Sequence, residues 1–132
     1  MSSLPVQRNL FWMFFSFYGR ASRAEYWWAQ LSLLAVFILV IAVLNSTGGF
    51  DAPDGATGFA IVTLIASVQI IWFFGICVAV KRLHDMGRPG GMAVLMFVPM
   101  LGAMFWLYTG FVKGNPEENK YGPSPHSREA SQ

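Results

Sequence analysis

The sequence predicts an all-α integral membrane protein: three transmembrane helices preceded by a short amphipathic or re-entrant N-terminal helix. Of 132 residues, 55% are hydrophobic and 12% charged, about half the charged fraction of soluble domains. The charges are also segregated, with no Asp, Glu, Lys or Arg in Tyr26–Phe50, Gly55–Val80 or Pro89–Val112. Each stretch exceeds the roughly 20 apolar residues that cross a hydrocarbon core about 30 Å thick. A water-soluble chain of this length has no interior in which to hide three helices that are apolar on all sides.

Residues 4–18 read as an interfacial helix. Pro5 suits its first turn, where the missing N–H costs nothing, and Trp12 and Tyr18 suit the headgroup boundary. The apolar run Leu10–Tyr18 is short, is followed by Arg20 and Arg23, and has no A-x-A site, so it is not read as a secretory signal. Gly19 ends that helix. Ser22-Arg23-Ala24-Glu25 is a capping-box pattern, which makes Ser22 and Glu25 a structural cap. The first span then runs over about residues 23–44, with Trp27 and Trp28 in the aromatic belt.

Asn45-Ser46-Thr47-Gly48-Gly49 stops that span, and Asp51-Ala52-Pro53-Asp54-Gly55 is turn-rich. The second span covers about residues 57–80, with its helix continuing through Lys81-Arg82-Leu83-His84-Asp85-Met86 to a stop at Gly87. The third covers about residues 92–112, with a kink expected at Pro99. Residues 1–125 thus form a single membrane domain. The polar remainder, 126–132, reads as a disordered tail.

Basic residues set the orientation. Arg8, Arg20 and Arg23 precede the first span and Lys81, Arg82 and Arg88 follow the second, whereas the first loop has none. The N-terminus and second loop are therefore cytoplasmic. Three crossings then put the C-terminus outside, despite Lys113, Lys120 and Arg128.

Two stretches meet on that cytoplasmic face: Phe17-Tyr18-Gly19-Arg20-Ala21-Ser22-Arg23-Ala24-Glu25-Tyr26-Trp27-Trp28 and Lys81-Arg82-Leu83-His84-Asp85-Met86-Gly87-Arg88. With Asn119-Lys120-Tyr121-Gly122-Pro123 they closely resemble the "domain of unknown function 805" family of small bacterial inner-membrane proteins. The likeness runs from about Phe11 to Pro125. It departs at Pro89-Gly90-Gly91-Met92, where family members carry a small residue and then tryptophans. The resemblance implies a multi-pass protein of the bacterial cytoplasmic membrane, and it implies no activity.

The candidate site is Arg20, Arg23, Lys81, Arg82, His84, Asp85 and Arg88. Arg82 and Asp85, spaced i,i+3, pair on one helical face. One reading makes the cluster a staple of helix ends. The functional reading makes it a basic face that binds anionic lipid through bidentate guanidinium contacts, with a protein partner or a second copy as the other occupant. No nucleic-acid partner is expected. A catalytic reading, with His84 as general base, is set aside because Asp85 lies about 100° round the helix from it. With no second ligand-like His nearby and no Cys pair, neither metal nor cofactor is expected. Gly87-Arg88-Pro89-Gly90-Gly91 fits no phosphate-cradling pattern.

Gln69 is the intramembrane polar residue, expected to hydrogen-bond another helix. Gly75 and Ala79 form a small-x-x-x-small pair. Cys77 and the series Met92, Met96, Met100, Met104 read as apolar packing. The sequence therefore points to a non-enzymatic scaffold or accessory protein. The alternative is a subunit of an oligomeric channel or transporter.

Overall fold

The computed structural model describes residues 9–49, 51 and 56–125. The expected helix start at 4–8 and the tail 126–132 lie outside the described residues. The regular elements among the described residues are helices, without a strand; one isolated bridge joins Asn119 and Gly122. Helix α1 (Leu10–Phe15) is shorter than expected. It is capped by Asn9, whose side chain accepts from Trp12 N at 2.8 Å. It lies against α3 through Phe14 and Phe15, whose rings meet Phe74 at 5.8 and 5.0 Å.

Helix α2 (Arg23–Ser46) begins at the expected capping box: Ser22 N donates to Glu25 Oε2 at 2.7 Å and Glu25 N to Ser22 Oγ at 3.2 Å. Helix α3 (Ala56–Asp85) has 30 residues, about 45 Å of helix. It stops where expected, in a Schellman turn with Gly87 at φ +70°. There Arg88 N donates to Leu83 O at 2.9 Å and Gly87 N to His84 O at 3.0 Å, satisfying carbonyls the helix leaves free. Both α2 and α3 are long and apolar enough to cross a membrane.

The third apolar stretch corrects the expectation of one kinked, through-going helix. Gly90–Phe97 is a 3-10 helix, the chain breaks at Val98-Pro99-Met100, and α4 (Leu101–Phe111) follows. Pro99 disfavours the helical region for the residue before it, and Val98 is extended at φ −86°, ψ 120°. Met100 then takes φ +61°, which turns the chain back on itself. A Cβ on Gly102 would fall on Met96 O, so the two limbs close only because residue 102 has none.

Both limbs of this hairpin end beside Asp85. Gly90 packs where a Cβ would meet Val80 Cγ1 at 2.7 Å and His84 Nε2 at 3.0 Å, and the carbonyl of Val112 accepts from Arg82. Between them, Phe97 stacks on Trp72 at 5.4 Å, about 20 Å down α3 from Asp85 at 1.5 Å per residue. The 11 residues of α4 give about 16 Å, half of a hydrocarbon core of about 30 Å.

The core lies at the Asp85 end, in Tyr26, Ala29, Val78, Ala79, Leu83, Ala93, Met96 and Phe105. Farther away, α2 exposes Leu34, Ile38, Leu39 and Val43 while α3 exposes Phe59, Val62, Ile65 and Ile70. That is the distribution for a solvent of lipid tails. Gly75 faces Gln30 and Leu33, so the small-residue pair serves packing within the chain. An open apolar cavity of about 460 Å³ lies at the hairpin tip, lined by Gln30, Trp72, Met96, Pro99, Met100 and Trp106 among others.

Candidate functional site

Four of the seven predicted site residues are interior rather than on an open face. Arg20 and Asp85 are 2% exposed, Lys81 and Arg82 0%. They come together because α3 ends in Lys81, Arg82 and Asp85 where α1, the start of α2, the end of α4 and the tail all meet.

Asp85 is the hinge of the cluster. Arg20 Nε donates to its Oδ1 at 3.0 Å, and Arg82 Nη1 donates to its Oδ2. The remaining Arg20 donors go to backbone: Nη1 to Glu117 O at 2.7 Å and Gly122 O at 3.0 Å, Nη2 to Asp85 O at 3.3 Å and to Asn115 O. That is one acceptor for each of the five guanidinium N–H groups. Arg82 sends Nε to Thr109 O at 2.9 Å, Nη2 to Val112 O and a second Nη1 contact to Ala21 O at 3.4 Å. Lys81 Nζ donates to Trp12 O and Met13 O and stands 4.3 Å over the Trp12 ring.

The carbonyls that accept from Lys81, most of those that accept from Arg82 and one of Arg20's share an origin. Thr109 belongs to the last turn of α4 and Val112 is its C-cap; Trp12 and Met13 lie in α1; Asp85 ends α3. The last four carbonyls of a helix have no intrahelical partner, and they carry the negative end of its dipole. Three helix C-termini therefore converge on three cations, and one carboxylate makes up the balance. This is the arrangement in which buried charge is tolerated, paired and hydrogen-bonded throughout.

The tail is part of the site. Asn115 N donates to Asp85 O at 2.7 Å and Asn119 Nδ2 to His84 O at 2.9 Å. A tight turn joins Asn119 N to Gly122 O at 3.2 Å and Gly122 N to Asn119 O at 2.9 Å, with Gly122 at φ +117°. His84, half-buried, lies flat on Tyr121 at 3.9 Å between centroids, its Nδ1 3.3 Å from Gly19 O. The sequence predicts a C-terminal segment opposite the N-terminus; these contacts hold its described part at the end of the molecule where α2 begins. Residues 113–122 sit at the same end as Arg20 and the start of α2.

Arg23 and Arg88 are exposed, Arg88 reaching 6.0 Å from the Tyr108 ring. Lys113 and Lys120, left out of the sequence-derived site, are exposed at the same end. The signal that could have found them was Asn119-Lys120-Tyr121-Gly122-Pro123, which carries a turn pattern close to two lysines. Gln69 lies far from this cluster, exposed on α3 beside Phe15, Ile70 and Phe73. Among the described residues no three His, Cys, Asp or Glu side chains form a group that could hold a metal.

The chain is similar to known inner-membrane proteins over nearly its whole length. "Inner membrane protein YhaH" of Escherichia coli (strain K12) is 32% identical over 124 residues, 92% of this chain and 93% of that protein. "Inner membrane protein YhaI" of the same strain is 30% identical over 122 residues, 92% of each. No solved structure matches. The relatives' names support a bacterial inner-membrane location, in line with the apolar helices. A family model described as "Protein of unknown function (DUF805)" matches residues 7–123, and the chain belongs to that family.

Proposed function

We propose that this protein is a non-enzymatic accessory or scaffold protein of the bacterial inner membrane whose cytoplasmic rim engages anionic lipid headgroups. Helices α2 and α3 cross the bilayer. The hairpin of the 3-10 helix and α4 re-enters from the cytoplasmic side, so the N-terminal segment and residues 113–125 share that side.

The observation that carries the reading is the division of the basic residues into two sets. Arg20, Lys81 and Arg82 are interior, with their donors on the protein's own carbonyls. Arg23, Arg88, Lys113 and Lys120 are exposed around them. Every described Lys and Arg lies at this end, while the α2–α3 turn at the other end carries Asp51. That asymmetry supports a cytoplasmic orientation. It also supports attraction of the rim to the anionic inner leaflet, where lysines and arginines at the surface act additively.

Native mass spectrometry of protein extracted gently from its own membrane tests this. An Arg88→Ala/Lys113→Ala variant is expected to lose bound phosphatidylglycerol while melting as the wild type does. Retention of as much phosphatidylglycerol as the wild type overturns the lipid reading.

A further inference from the structure

Along α3, Phe59, Val62, Ala66, Gln69 and Phe73 recur at alternating intervals of three and four, and all five are exposed. Intervals of three and four make a heptad seam, the pattern by which one helix packs lengthwise on another. At about 100° per residue the seam lies on the side of α3 away from the buried Ala60 and Val78, and it ends at Phe73, before the all-round burial of Cys77–Ala79. Among the described residues only Phe15 and Phe17 stand beside it, Phe17 with its ring 6.1 Å from that of Phe73, and Phe59, Val62, Ala66 and Gln69 remain exposed. Beside it opens a depression of about 360 Å³ lined by Phe15, Ala66, Gln69, Ile70, Phe73 and Phe74.

Gln69 decides what belongs there. It stands in the middle of the span, about 17 Å from either end of residues 57–80. A carboxamide facing lipid has no water to bond, and across a helix–helix contact it finds a partner. Copies of one protein inserted in the same orientation pair about a two-fold axis along the membrane normal, so residue i meets residue i at equal depth. A carboxamide carries both a donor and an acceptor, and opposite its own copy it is self-complementary. A single polar residue within an apolar seam also sets register, and Ala66, one turn away, lets the backbones approach closely.

We infer that this face of α3 is a homodimer interface: two parallel copies pack along Phe59, Val62, Ala66, Gln69 and Phe73, with the Gln69 carboxamides hydrogen-bonded to one another. The inference rests on α3 crossing the bilayer, as proposed above.

In a Cys77→Ala background, Val62→Cys, Ala66→Cys and Phe73→Cys are oxidised singly in native membranes beside Leu64→Cys and Val68→Cys. Disulfide-linked dimers are expected at the first three positions and not at the last two. Gln69→Leu is expected to raise the dimer dissociation constant in lipid roughly 3- to 30-fold, the range for one interhelical hydrogen bond. Gln69→Asn should restore much of it, and both variants should melt as the monomeric unit does. Cross-linking that is equal at both sets, cross-linking at neither, or a Gln69→Leu protein that dimerises like the wild type overturns the inference. Labelling of Val62→Cys by a membrane-impermeant maleimide instead would show that α3 is not embedded, which separates failure of the dimer from failure of the membrane reading.

Discussion

Replacing Arg82 with alanine is the sharpest test of the buried cluster. Arg82 is fully buried and supplies donors to Asp85, Thr109 O, Val112 O and Ala21 O. Alanine leaves the end of α4 without its cation, and Asp85 keeps only Arg20. Removing one member of a buried pair typically costs about 3–5 kcal/mol, because the remaining groups stay desolvated and uncompensated. For a chain of this size that corresponds to a fall of roughly 10–20 °C in melting temperature. Arg82→Lys keeps the charge, but a single ammonium has three donors and cannot span acceptors on both sides of a planar fork, so an intermediate fall is expected. Asp85→Ala should destabilise comparably, and the double variant Arg82→Ala/Asp85→Ala should lose less than the sum of the singles. The assay is thermal unfolding in detergent, followed by tryptophan fluorescence: Trp27 Nε1 donates to Gly110 O at 3.2 Å and so reports on the α4 end directly. An Arg82→Ala protein melting within a degree or two of wild type would refute the account.

Other expectations follow from the same geometry. Lys81→Met should release α1 from α3 while leaving the α4 end intact; a red shift of Trp12 emission without a change at Trp27, separated by single-tryptophan variants, checks it. Gly114→Ala places a Cβ inside the Asp85 carboxylate and should detach the tail, so trypsin should cut after Lys113 and Lys120 faster than in the wild type. Reporters fused after residue 132 should be active on the cytoplasmic side, together with reporters fused at the N-terminus. A C-terminal reporter active only on the periplasmic side would overturn the shared placement of the two ends.

What the sequence made legible was local. The Ser22–Glu25 capping box, the stop at Gly87 and the Arg82–Asp85 pair each depend on residues within four positions of one another, and each is present. The hairpin was not legible from hydropathy, because an uncharged run fits a crossing and a reversal equally well. Its signs lay in backbone chemistry instead: Pro99 forcing Val98 out of the helical region, and Gly102 allowing the limbs to touch. The interior position of Arg20 and Lys81 was hidden for a different reason. Apart from the Asp85 carboxylate that Arg20 shares with Arg82, their partners are main-chain carbonyls, among them those of Glu117, Gly122, Trp12 and Met13, and a carbonyl acceptor leaves no mark on residue identity. A carboxylate partner does, which is why Asp85 was found and the tail was missed.

The hairpin and the buried cluster require each other. A third helix running straight through from residue 92 would carry its C-terminal carbonyls about 30 Å from Arg82, to the far side of the membrane. Arg82 would then be left in the interior with one carboxylate for two guanidinium groups, and the end of α4 would have no cation. By turning back at Pro99 and Met100, the chain returns Thr109 O and Val112 O to Arg82, and it delivers Asn115, Glu117 and Gly122 to Arg20. The same reversal removes the conflict in the charge distribution. Three crossings would set Lys113 and Lys120 against the tendency of basic residues to stay on the cytoplasmic side, whereas the hairpin brings them to the same end of the molecule as Arg23 and Arg88, as the proposed two-crossing topology requires. The charge asymmetry and the burial of Arg82 are independent constraints, and one reversal of the backbone satisfies both.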